Sequence, residues 1–210
     1  VVAARLAVVV SGGTGTGKTT WVSMLLAQCD PRDRIVVVED SAELVPDHPH
    51  VVRLESRPPN IEGAGAITLR DLVRQSLRMR PDRVVVGEVR GAEVVDMLTA
   101  FNTGHEGGLT TVHANSAADV PARLEALALT GGLDRAAVHA QMAAGLDVVV
   151  HLDRGRDGVR RWSSVSVARR AGDVTVLDDA LRAGRDGGLE RGAGFDRLAA
   201  RLGEHAPAAS

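Results

Sequence analysis

A chain of 210 residues that is 44% hydrophobic is long enough to bury one good core, so a single domain with at most a small appendage is expected and extensive disorder is excluded. A formal net charge of -2, aromatics at 2% and no tyrosine give neither a general pull toward anions nor stacking platforms for single strands, so no direct nucleic-acid contact is expected. The single cysteine, Cys29, excludes an internal disulfide framework and fits a reducing compartment. The apolar start lacks the basic flank and cleavage pattern of a signal peptide, and no run reaches the ~20 apolar residues of a membrane span. A cytoplasmic location without membrane insertion is the resulting expectation.

The first predicted element is a strand at residues 6–10, the first of four short Val- and Ile-rich runs. The others lie at 35–38, 84–86 and 147–150. Continuous apolar runs of this length are what strands buried on both faces of a parallel sheet look like. Directly after the first run comes SGGTGTGKTT, residues 11–20, and then a helical pattern over 18–28. Gly12-x-x-x-x-Gly17-Lys18-Thr19 between a strand and a helix is the P-loop pattern in its required context. Gly12, Gly13, Thr14, Gly15, Thr16 and Gly17 let the backbone wrap so that N–H groups point inward, and the helix N-terminus adds positive potential that suits polyphosphate. In such a loop Lys18 reaches the β- and γ-phosphates, Thr19 holds Mg²⁺ and Thr20 continues the anion-binding turn. Lys18 is the only lysine among 25 basic residues. An ammonium is a compact point charge that fits a ring of backbone amides, where the broad guanidinium fork does not.

The second strand run ends in Glu39, Asp40 and, a turn later, Glu43, at the end of the sheet where α/β folds bind ligands. Residues 46–66 are rich in Pro and Gly and are expected to be loop, with one short strand at 51–55. Thr68 and Asp71 form a capping box opening a helix to about residue 79, and Ser116 with Asp119 has the same form. On the first of these helices Arg70, Arg74 and Arg78 share a face. Such stripes are usually solvated, yet Arg78 and, beyond it, Arg90 lie where an arginine delivered to transferring phosphate would stand. The third run is followed by Gly87 and Glu88, so the usual metal acid is missing. With Glu88 as general base, Mg²⁺ has to lean on Thr19, waters and Glu39 or Glu43. His105 and His113 flank a glycine pair and a threonine pair. They are weak evidence for zinc without a third ligand and better suited to sensing phosphate or positioning water. After residue 151 a strand at 158–170, a glycine-rich loop and a short helix from 195 to 205 make a less regular C-terminal tail.

SGGTGTGKTT, VEDSAEL, LRDLVRQSLRMRPDRVVVGEVRGAE and NTGHEGGLTTVHANSAADVPARLE, in that order, resemble the type II and type IV secretion ATPase superfamily, most closely its tight-adherence pilus branch. The resemblance implies a RecA-like P-loop NTPase with a mostly parallel central sheet flanked by helices. It implies ATP/ADP and Mg²⁺ as cofactors, a homo-hexamer in the full-length form, and an inner-membrane pilus or secretion platform as partner. It makes residues 39–43 an acidic box, Glu88 the catalytic glutamate and His105 with His113 a histidine box, and it makes Gly87 usual rather than a defect. Family members carry a domain ahead of the P-loop domain. Residues 1–152 are therefore expected to be the ATPase core, 153–210 an extension of it, and the preceding domain absent, so that the chain alone binds nucleotide weakly and hydrolyses it slowly. The alternatives from other classes are a P-loop kinase, which needs a lid and an acceptor site, and a non-catalytic nucleotide-binding module.

Overall fold

The structure, a computed structural model, describes residues 1–104, 106–155, 157–184 and 188–203. Val8–Gly12 forms β1, and the chain then runs through α1 (Lys18–Leu26), β2 (Ile35–Glu39), β3 (Val51–Glu55), α2 (Leu69–Leu77), β4 (Arg83–Val86), α3 (Glu93–Asn102) and β5 (Leu109–Val112). Helices α4 (Val120–Thr130) and α5 (Arg135–Gly145) lead to β6 (Val148–Arg154), β7 (Arg160–Ala171), β8 (Val174–Ala183), β9 (Leu189–Arg191) and α6 (Phe195–Leu202). Among the described residues the strands form one sheet in the order β3-β2-β4-β5-β1-β6-β7-β8-β9. From β3 to β6 all pairings are parallel, and from β6 to β9 they are antiparallel. The expected RecA-like α/β architecture, a mostly parallel sheet flanked by helices, is present.

Period-2 geometry explains the valine runs. Val9 faces a cluster built from α2, α3, α4 and α5, including Val73, Leu98, Leu124 and Met142, while Val8 and Val10 face Val22 and Leu26 of α1 and Leu198 of α6. Each of these residues is almost fully buried, so both faces of the central strands are covered and no polar alternation is permitted. The first capping box forms as expected: Asp71 N donates to Thr68 Oγ1 and Thr68 N to Asp71 Oδ2. The second does not. Ser116 Oγ donates to the Asp119 carboxylate at 2.8 Å, and residues 117–119 make a single tight 3-10 turn before α4.

The C-terminal region is more regular than its sequence suggests. The strand expected at 158–170 is β7, but β8 pairs along its length and β9 adds a further rung, so the parallel sheet continues into an antiparallel extension. Asp178 and Asp179 break the apolar alternation of β8, which hides it from a periodicity reading. They are tolerated because Arg169 and Arg197 pair with Asp178, and Arg182 and Ser166 bond Asp179. Among the described residues no helix is long and apolar enough to cross a membrane.

What the fold supplies to a site is convergence. β2, β4, β5 and β1 are adjacent and parallel, so their C-terminal ends bring Glu39, Gly87 with Glu88, His113 and the P-loop to one rim of the sheet.

Candidate active site

The P-loop leaves β1 at Gly12 and enters α1 through Gly17, whose left-handed φ of 94° only glycine adopts without strain. No side chain caps α1 and its first turn carries no acid, which leaves its leading N–H groups to a cavity of about 370 Å³. Thr14, Gly15, Gly17, Thr19 and Thr20 line that cavity, while Thr16 ties the loop to itself by donating to Gly13 O at 3.0 Å. Lys18, 7% exposed, donates from Nζ to Gly12 O at 3.1 Å and Gly13 O at 2.9 Å. Burial pushes its ammonium pKa down, against an upward pull from Glu88 and with a further push from Arg90.

On the facing wall, Lys18 Nζ lies 3.4 Å from His113 Nε2, and that nitrogen lies 2.8 Å from Glu88 Oε1. Glu88 Oε2 accepts from Arg90 Nη2 at 2.6 Å. Glu88 Oε1 is buried and receives no aligned hydrogen bond, and its nearest polar neighbour is the His113 ring nitrogen. Burial, reinforced by the Lys18 charge, pushes the His113 pKa below its ordinary value. The ring is thus neutral near neutral pH, and its Nε2 serves either as donor to Glu88 or as acceptor from Lys18, not both.

Glu39 explains the missing acid on β4. Its side chain fills the space beside Gly87, where an added Cβ would stand 2.7 Å from Glu39 Cγ. An aspartate at 87 has no room while the Glu39 side chain of β2 stands there. Glu39 is 5% exposed, and its Oε1 accepts from Glu43 N at 3.2 Å and Leu44 N at 2.9 Å. Burial raises its pKa above the ordinary 4.5, only partly opposed by those two N–H groups and by Arg53, while Glu43 adds to the rise. The sign follows: the folded protein holds this proton to higher pH than the unfolded chain, so the group favours folding fully below about pH 4.5 and that contribution is lost as pH rises through the folded value. Glu39→Gln keeps an oxygen for the two N–H donors and removes the charge. Its melting temperature is expected to match wild type near pH 4 and to exceed it increasingly toward pH 7; parallel melting curves would contradict this assignment.

Three residues that build the site were not singled out from sequence. Glu93 Oε1 accepts from the backbone of Arg90 and Gly91 at 2.6 and 2.7 Å, which shapes the turn carrying Arg90. Thr111 Oγ1 donates to Gly87 O at 2.7 Å and fixes the approach to Glu88. Arg160, from the start of β7, lines the cavity over Gly17. An acid three residues after Arg90 was a readable signal for Glu93; nothing local announced the other two. The arginine stripe divides: Arg70 and Arg74 both pair with Asp96 of α3 at 2.6 and 2.7 Å, and Arg78 stands exposed at the end of α2, outside the cavity lining. His105 lies outside the described residues.

A profile of the type II/IV secretion system protein family matches residues 1–168. The chain belongs to that family. A putative conjugal transfer protein of Mycobacterium tuberculosis is 60% identical over 171 residues, covering 81% of this chain and 49% of its own length. The type IV secretion system protein PtlH of Bordetella pertussis is 37% identical over 167 residues, with coverage of 76% and 49%. Among solved structures, the VirB11 ATPase of the Brucella suis type IV secretion system, in complex with sulphate, superposes with a TM-score of 0.69 at 33% identity over 78% of this chain and 48% of that one. The chain thus spans about half the length of the relatives it matches. These names are conjugal-transfer and type IV secretion names, so the assignment stands at the family rather than at its tight-adherence branch.

Proposed function

We propose that the chain is the ATP-hydrolysing motor module of a type II/IV secretion or pilus-assembly machine, working on the cytoplasmic side of the inner membrane and as a homo-hexamer in the full-length protein. The observation that carries the catalytic part is the placement of Glu88 on the wall of the P-loop cavity, with its Oε2 held by Arg90 and its Oε1 2.8 Å from His113 Nε2. A general base must stay within reach of its water, and a carboxylate fixed between two basic groups cannot swing away from the cavity. The P-loop amides and Lys18 bind and orient the phosphate chain, and the neutral His113 offers a hydrogen bond beside its terminal group. Similarity to the VirB11 ATPase and to PtlH supports the secretion role.

The residues fit Mg²⁺ as a shared ligand rather than a caged one. Thr19, Glu39, Asp40 and Glu43 put hard oxygens on the cavity wall, while no set of three acids, histidines or cysteines converges among the described residues. Mg²⁺ keeps most of its waters and takes one or two carboxylates plus substrate phosphates, and when bound it neutralises charge on the phosphates. Thr19 would hold it, with Glu39 or Glu43 acting through water.

The test is release of inorganic phosphate from ATP with Mg²⁺ and no added acceptor. Turnover supports the motor; phosphate appearing only on an added acceptor would mean a kinase, and nucleotide binding without turnover a non-catalytic module.

A further inference from the structure

Among the described residues, three cations line the P-loop cavity: Lys18, Arg90 and Arg160. Lys18 is engaged by two loop carbonyls and Arg90 by Glu88. Arg160 has no ion pair or side-chain hydrogen bond among the described residues, and it packs over Gly17, where its Cδ would lie 3.4 Å from an added Cβ.

The fold puts it there for a definite reason. β6 pairs with β1 as far as Leu152 beside Gly12, then continues through Asp153 and Arg154 past the point where β1 turns into the P-loop. The β6–β7 hairpin therefore overhangs the loop, and Arg160 is the first residue of its return strand. Cross-strand register sets Arg160 directly opposite Arg154, an arrangement of like charges that is unfavourable by itself. Of the described acids on the hairpin itself, Asp157 pairs with Arg161 at 2.8 Å and Asp153 lies beside His151 at 3.4 Å. Arg154 bonds only the Gly158 carbonyl among the described residues. Among the described residues neither guanidinium has a carboxylate partner, and Arg160 lies on the cavity wall with the uncapped start of α1, a setting that favours an anion.

We propose that Arg160 binds nucleotide from within the same chain, donating to the α- and β-phosphates as they lie along Gly17, Thr19 and Thr20. The inference rests on the reading of the cavity as a nucleotide site. The terminal phosphate lies at the other wall, with Lys18, His113 and Glu88, so Arg160 acts on the diphosphate common to ADP and ATP.

Equilibrium titration of the purified chain with ADP and with a non-hydrolysable ATP analogue, both with Mg²⁺, tests this. Arg160→Ala is expected to weaken both by about tenfold, the scale of one partly exposed charge-assisted contact. Arg160→Lys should fall between that variant and wild type, because it keeps charge but loses the fork. Arg161→Ala, whose partner is Asp157, is the control for hairpin integrity and should bind like wild type. Unchanged affinity in Arg160→Ala, or a loss confined to the triphosphate, overturns the proposal while leaving the cavity a nucleotide site. A wild-type chain that binds neither ligand overturns both.

Discussion

Replacing Glu88 with glutamine is expected to lower kcat for ATP hydrolysis by about 10²- to 10⁴-fold, the usual contribution of a general base, while nucleotide affinity stays within a few-fold. Glutamine preserves the volume at the end of β4 and can still accept from Arg90, which holds Glu88 Oε2 at 2.6 Å. What it cannot do is take a proton, and its amide nitrogen would place a donor where Oε1 now offers a buried acceptor. On the proposed reading affinity is carried elsewhere, by the P-loop amides, Lys18 and Arg160, so binding and turnover should separate. Single-turnover phosphate release beside a binding titration checks this. Equal loss of both would mean that Glu88 holds the loop together rather than acting on water, and unchanged turnover would remove it from the chemistry.

The second large effect lies away from the cavity. Asp33 accepts from Arg83 Nε at 2.8 Å and from Arg5 Nη2 at 2.5 Å, and the side chains of Asp33 and Arg83 are only 6% and 3% exposed. Arg83 also donates to Val2 O at 3.0 Å, so this group ties the segment before β1 to the first residue of β4. Asp33→Ala leaves a buried guanidinium without its counter-charge, which is expected to cost about 3–5 kcal/mol, a large part of a typical total stability of about 5–15 kcal/mol. Urea denaturation measures it. Asp33→Leu combined with Arg83→Met removes both charges and should cost less than Asp33→Ala alone, because the penalty comes from the unpaired charge rather than from loss of the pair. A single variant within about 1 kcal/mol of wild type would show that water or local movement solvates Arg83.

The same pair shows where sequence reading stops. From the chain alone Arg83 is one more cation in a basic run, yet β2 and β4 lie side by side and bury it against a carboxylate fifty residues away. Arg70 and Arg74 likewise read as a solvated stripe in the sequence, whereas α3 supplies Asp96 to both. In each case the partner is a matter of packing, which no local window contains.

Where the physics is local, the sequence was sufficient. The P-loop is one contiguous segment whose glycines, lysine and helix start act within a few residues of one another, and the capping box of α2 closes over four. Buried parallel strands announce themselves because both faces exclude polar side chains. β8 was silent, since its two aspartates are made tolerable only by arginines from β7, α6 and its own far end. Gly87 marks the division most clearly. Sequence showed that the metal acid was missing from β4, but only the adjacency of β2 and β4 showed why: the Glu39 side chain already occupies that volume. Residue types and spacing thus determined which chemistry the chain carries. Tertiary structure decided which carboxylate stands beside which strand, which arginines remain free to meet a ligand, and which are already neutralised, because charge pairing and excluded volume act through space and not along the chain.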